Sequence, residues 1–141
     1  GFSDSGAHLT NMAYYDSNLR GLQIAQRESL DKVAYHIERL TRIPAEFWGM
    51  DETLGTVEPG RQADLVLIDP EALRAYDSDA NTTFGYRDAV QAEQMLNRSD
   101  GVVTDVWIAG TPAWRDAKPS ENLGRIAMGH ALTSRSAAQL T

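Results

Sequence analysis

A change of hydrophobic period near residue 50 sets the limits on what this chain can fold into. Before that point apolar residues recur every three or four positions. After it they alternate, or run together in short bursts between turn residues. Leu30, Val33, Ala34, Ile37 and Leu40 put an apolar stripe along one side of a helix over 29–41. Ser29 offers an N-cap oxygen, Asp31 lies in the first turn, and Arg39 and Arg42 lie near the end, where the helix dipole favours each charge. An earlier helix is expected from Asp16 or Ser17 to about Glu28, with Leu19, Leu22 and Ile24 or Ala25 as its apolar side. A third, short helix is expected with Pro44 at its first position and Gly49 as the stop after Phe47-Trp48.

The stretch "GTVEPGRQADLVLID" (55–69) opens the strand-and-turn part. Pro59-Gly60 suits a type II turn, because glycine accepts the positive φ that such a turn requires. Leu65-Val66-Leu67-Ile68 is a continuous apolar run, the pattern of a strand buried on both faces, and Asp69-Pro70 closes it. In "GVVTDVWIAGTPAWRD" (101–116), alternation on either side of Ala109-Gly110 predicts a hairpin. Pro112 in its second arm predicts an edge strand, since proline cannot donate to a ladder. Strands are therefore expected at 55–58, 64–69, 102–109 and 111–115. Residues 71–100 form a polar insert with one or two helical turns over Ala89–Leu96. Residues 1–15 read as a strand end followed by an irregular loop. Residues 117–141 form a tail, its last ten residues mobile. The sheet has about three or four strands, few for an independent sandwich.

Composition excludes several classes of function. The 141 residues make about one domain and allow a real core. The net charge of −7 comes from dispersed acids, and no basic stripe is present to neutralise phosphates, so nucleic acid is not an expected partner. The chain has no cysteine, which removes disulfides and thiolate metal sites and is compatible with the cytoplasm. No apolar run reaches the ~20 residues that a membrane span needs, so no membrane partner is expected.

The densest cluster of reactive residues stands at the start, in "GFSDSGAH". Asp4 at the end of a strand suits a metal ligand or a base toward metal-bound water. The residues alone leave open a plainer role, with Asp4 or Ser5 capping a turn. His8 stands four positions on, and zinc sites take three or four ligands. The other histidines, His36 and His130, lie at no ligand spacing. His36 reads as a packed or surface side chain at the margin of the 29–41 stripe. Neither Ser3 nor Ser5 is flanked by the two glycines of a nucleophile elbow. Phe47, Trp48, Trp107 and Trp114 read as packing residues. Arg61 beside Pro59-Gly60 lacks the pattern of a phosphate loop.

Four segments in this order resemble the C-terminal part of amidohydrolase-superfamily enzymes: "GFSDSGAHLTNMAYYDS", "SLDKVAYHIERLTRIPAEFWGM", "GTVEPGRQADLVLIDPEAL" and "VTDVWIAGTPAWRD". The pattern Gly-x-x-x-Pro-Gly-x-x-Ala-Asp-Leu-Val-x-Ile-Asp is typical of the superfamily at large. Ser-Asp-Ser-Gly-Ala-His points to the branch of D-aminoacylases, or N-acyl-D-amino-acid deacylases. The resemblance spans roughly residues 1 to 116.

The resemblance implies an α+β piece of a larger architecture, a (β/α)8 barrel with a small β-sandwich built from both chain ends. Residues 1–50 would supply the last barrel strand end, the active-site loop and the terminal barrel helices. Residues 51–116 would supply the C-terminal strands of the sandwich. It implies a metal centre, usually zinc, with Asp4 as metal ligand and as the base that deprotonates the attacking water and returns the proton to the leaving amine. Chemistry at the C-terminal ends of barrel strands fits that placement. His8 would approach the substrate, an N-acyl amino acid, or hold Asp4. The remaining family ligands, a His-x-His, a bridging residue and two later histidines, are absent. A whole barrel takes ~250 residues, so a piece of a longer enzyme is expected, inactive by itself and holding no tightly bound metal. Exposed helix faces and strand edges then predict self-association. Two other readings stand beside this one: a segment of a dihydroorotase- or hydantoinase-like enzyme, and a non-catalytic interaction domain.

Overall fold

The computed structural model describes residues 11–12, 16–88, 90–97, 99 and 101–132. The backbone opens with a two-residue strand, β1 (Asn11–Met12), inside the stretch read as loop. Three helices follow: α1 (Ser17–Glu28), α2 (Leu30–Leu40) and α3 (Arg42–Phe47). Ser29 separates the first two and caps the second, its hydroxyl accepting from the Lys32 amide at 3.3 Å. The third helix begins two residues before the expected start, at Arg42. Pro44 still lies in its first turn, where the missing N–H has no intrahelical acceptor to lose.

Beyond the helices come β2 (Leu65–Ile68), α4 (Pro70–Ala75), β3 (Thr82–Arg87), β4 (Ala92–Asn97), β5 (Val103–Ile108), β6 (Thr111–Arg115) and β7 (Lys118–Pro119). They build two sheets rather than one. The first has three strands in the order β1-β4-β3, and the second has four in the order β2-β5-β6-β7. The insert at 71–100 is thus ordered into a short helix and a hairpin. The helical turns expected over Ala89–Leu96 do not form in its described part, residues 90–96, because β4 pairs antiparallel with β3 along its whole length and parallel with β1. No strand forms at 55–58, where the chain bends instead.

The hairpin over β5 and β6 forms around Ala109 and Gly110, both at positive φ, 47° and 78°. Such a pair of angles matches the twist of the flanking strands. Pro112 does not mark an edge strand, since β6 lies between β5 and β7 in strand order. The register slips there, with Val106 opposite Trp114 and Trp107 opposite Pro112, and β7 pairs only with Trp114 and Arg115. A bulge is the other place where a sheet tolerates proline.

The buried core lies where α1 and α4 meet the chain entering β5. It consists of Leu22, Leu73, Tyr76 and Val102, with Leu19, Val33, Ile68 and Ala72 packed around them. Gln23 of α1 fastens the junction, donating from Nε2 to the carbonyls of Leu73 at 2.9 Å and Tyr76 at 2.7 Å. Both carbonyls lie at the C-terminal end of α4, and that of Leu73 also accepts from the Tyr76 amide at 3.3 Å.

Apolar surface stays open on α2 and on β2. The stripe of α2 buries none of its residues fully, and Leu30 and Ile37 face outward. The run Leu65–Ile68 is not buried on both faces. It forms the outer strand of its sheet, with Val66 and Leu67 60% and 53% exposed. Among the described residues no helix is long and apolar enough to cross a membrane. The mobile end expected for the tail lies mostly outside the described residues.

Candidate functional site

Asp16 directly precedes α1, the usual place for a capping carboxylate, yet its side chain makes no cap bond. It turns inward and is only 5% exposed. The Tyr76 hydroxyl donates to its Oδ2 at 2.7 Å, and Asn97 Nδ2 donates to the same oxygen at 3.3 Å. Asn97, the last residue of β4, also donates from Nδ2 to the Ser78 carbonyl at 2.7 Å and the Ser78 hydroxyl at 2.8 Å. Three separate segments therefore meet in one buried polar cluster: the start of α1, the turn after α4 and the end of β4. Burial, then the neighbouring Asp16 carboxylate, pushes the Tyr76 phenol up to about 12, because both penalise the phenolate.

Asp16 and Asn97 of this cluster also line a cleft of about 520 Å³. Asp16 and Leu19 of α1, Asn97, Ser99, Ile108 of β5 and Trp114 of β6 are among its lining residues, so its walls are mostly apolar. Nothing in the sequence pointed to this cluster. Asp16 was legible only as a helix start, and its partners stand 60 and 81 residues away.

The acids of the Gly-x-x-x-Pro-Gly pattern have structural work. Asp64 Oδ1 accepts from the Ala109 amide at 2.7 Å, which ties the hairpin turn to the segment before β2. The Ala63 carbonyl accepts from Gly110 in the same clasp, at 2.9 Å. Asp69 caps α4, accepting from Glu71 at 2.8 Å and Ala72 at 3.1 Å, with Pro70 as the first helical residue. Gly55 has a φ of +90°, and a Cβ there would stand 3.0 Å from Arg42 Cα and 3.1 Å from the Thr41 carbonyl oxygen. Only glycine lets the chain pass that close to the start of α3.

Asp4 and His8 lie outside the described residues, as do Ser3 and Ser5. His36 packs partly buried against α1, where a Cβ on Gly21 would stand 2.4 Å from its Cε1. Its Nε2 is buried with no hydrogen-bond partner among the described residues. His130 is exposed and lines a second cleft, of about 420 Å³, with Arg61. Arg61 is already engaged there, donating to the Asp51 carbonyl and pairing with Glu58 at 3.6 Å. Phe47 and Trp48 do not pack into the core. They meet edge to face at 5.5 Å on the surface, 81% and 69% exposed. Among the described residues no group of three or more His, Asp or Glu side chains is gathered to hold a metal ion.

The sequence model of the Amidohydrolase family matches residues 9–113. Three curated proteins are 35% identical over 127 residues, covering 82% of this chain: an uncharacterized protein of Mycobacterium bovis and uncharacterized proteins of two strains of Mycobacterium tuberculosis. The chain spans 19% of the length of these relatives. No solved structure matches it. With the family model covering residues 9–113, from before α1 into β6, the chain belongs to the amidohydrolase family.

Proposed function

We propose that this chain is a segment of a metal-dependent amidohydrolase whose complete polypeptide hydrolyses the amide of an N-acyl-D-amino acid. The observation that carries the reading is the family match over residues 9–113, directly behind the Ser-Asp-Ser-Gly-Ala-His stretch at 3–8. Family members commonly bind metals. The described residues offer no complete set of ligands, so this segment's contribution is Asp4, with the other ligands supplied from outside it. The metal, zinc in this reading, polarises a water and the scissile carbonyl when bound.

Asp4 accepts a proton from the attacking water as oxygen adds to the amide carbon. It then delivers that proton to the departing nitrogen as the C–N bond breaks, leaving a carboxylate and an amine. His8 contacts the substrate or holds Asp4 in line. The helices α1 to α3 pack against the barrel, and the four-stranded sheet forms the C-terminal share of the sandwich. The open stripe of α2 and the exposed Val66 and Leu67 support that reading, since each is an apolar surface lacking a cover. In the isolated chain the same surfaces lead to self-association.

The test is a substrate panel on the longer polypeptide that carries this segment, loaded with zinc. N-acetyl-D-amino acids are expected to be cleaved, and their L-enantiomers far more slowly. Turnover of hydantoin or dihydroorotate in their place would assign a cyclic-amide enzyme instead.

A further inference from the structure

We infer that the cleft beside Asp16 is a binding site for an aliphatic ammonium group. The Tyr76 phenol carries one proton but faces two acceptor oxygens, Asp16 Oδ2 at 2.7 Å and Asn97 Oδ1 at 2.6 Å. Asn97 Nδ2 spends its closest contacts on Ser78, at 2.7 and 2.8 Å, and reaches Asp16 only at 3.3 Å. Asp16 Oδ1 is buried and has no partner at all among the described residues. The cluster therefore has more acceptors than protons, around a carboxylate that is 5% exposed. An ionised carboxylate taken out of water needs a cation or several donors to stand in for its hydration.

The cleft shows what kind of cation fits. Asp16, Asn97 and Ser99 give it polar lining, while Leu19, Ile108 and Trp114 give it apolar walls. Among the described residues that line the cleft Asp16 is the one carboxylate, and among the described residues no metal-ligating group is assembled. A primary ammonium on a short alkyl chain matches both kinds of lining: three donors for the acceptor-rich cluster and methylenes for the walls. Oδ1 is covered in the present conformation. Binding therefore turns the carboxylate about its last side-chain torsion, and the ammonium takes over the donor role that the Tyr76 hydroxyl has in the present conformation. Either a free amine or a lysine side chain of a longer polypeptide supplies this chemistry.

The probe is pentylammonium, with pentanol as the neutral match at the same ionic strength, followed by NMR on the 141-residue chain. Saturable shifts are expected at the Trp114 indole and the Asn97 side-chain amide, with the amine bound about tenfold or more tighter than the alcohol. Asp16→Asn should bring the amine down to the level of the alcohol. The comparison of amine with alcohol on the unaltered chain needs no variant, so an unfolded Asp16→Asn leaves the test intact. Equal binding of the two probes, no binding, or shifts confined to residues away from the cleft would overturn the proposal. On a longer polypeptide, response to pentylammonium identifies a free amine as the ligand. A silent site there, beside a responsive 141-residue chain, identifies an internal lysine.

Discussion

The Tyr76 hydroxyl donates to Asp16 Oδ2 at 2.7 Å, joining the end of α4 to the start of α1 across 60 residues of sequence. This bond fixes where α1 starts relative to the core, because Tyr76 is itself a core residue beside Leu22 and Leu73. The segment leading into α1 is the one that carries Asp4.

Tyr76→Phe keeps the ring and removes the donor. It leaves a buried carboxylate oxygen with only the longer Asn97 contact, and Asn97 Oδ1 without its 2.6 Å partner. The expected loss is about 1–3 kcal/mol in urea unfolding, with an unchanged slope against denaturant.

The same phenol gives a pH dependence with a definite sign. Its folded value of about 12 lies above the ordinary value of 10, so the fold favours the neutral form. That contribution is complete below pH 10 and is lost as pH rises from 10 through 12. Unfolding free energy should therefore fall in that window, by an amount on the order of 2 kcal/mol. The fall should be shallower in Tyr76→Phe, measured by urea titrations at a series of alkaline pH values.

Gly55→Ala should destabilise the chain for two reasons that act together. Its φ of +90° is strained for any L side chain, and the new methyl would press on backbone atoms of α3 at 3.0–3.1 Å. About 1–3 kcal/mol is expected from the urea midpoint. Gly49→Ala is the control, for its added methyl meets nothing within 4 Å and only the φ of +65° opposes it.

The isolated chain should associate with itself through the open edge of β2. In sedimentation velocity its mean mass should rise with concentration. Val66→Lys should lower that association, since a lysine on an exposed edge opposes strand pairing while costing little in a side chain that is 60% exposed.

Local pattern made part of this fold legible. The stripe from Leu30 to Leu40 with its Ser29 cap, the run Leu65–Ile68, and the hairpin about Ala109-Gly110 each carry their own short-range signal, and each forms the expected type of element. The hairpin of β3 and β4 was hidden because Ala92, Glu93, Gln94, Met95 and Leu96 are all good helix formers. Pairing with β3 on one side and β1 on the other overrides that preference. The exposure of Val66 and Leu67 was hidden for a different reason. An apolar run says that a strand expects cover, not whether the cover is present. Asp16, Tyr76 and Asn97 carry no common spacing, and only the fold brings them together. Asp4 stands out in the sequence through its resemblance to a family, not through any local physical rule.

The most direct measurement is amine release from an N-acetyl-D-amino acid by the longer, zinc-loaded polypeptide, compared with its Asp4→Ala variant. Hydrolysis by the first is expected, with a fall of at least about a hundredfold in the second, as when a general base is removed. Undiminished hydrolysis by a folded Asp4→Ala protein would contradict it.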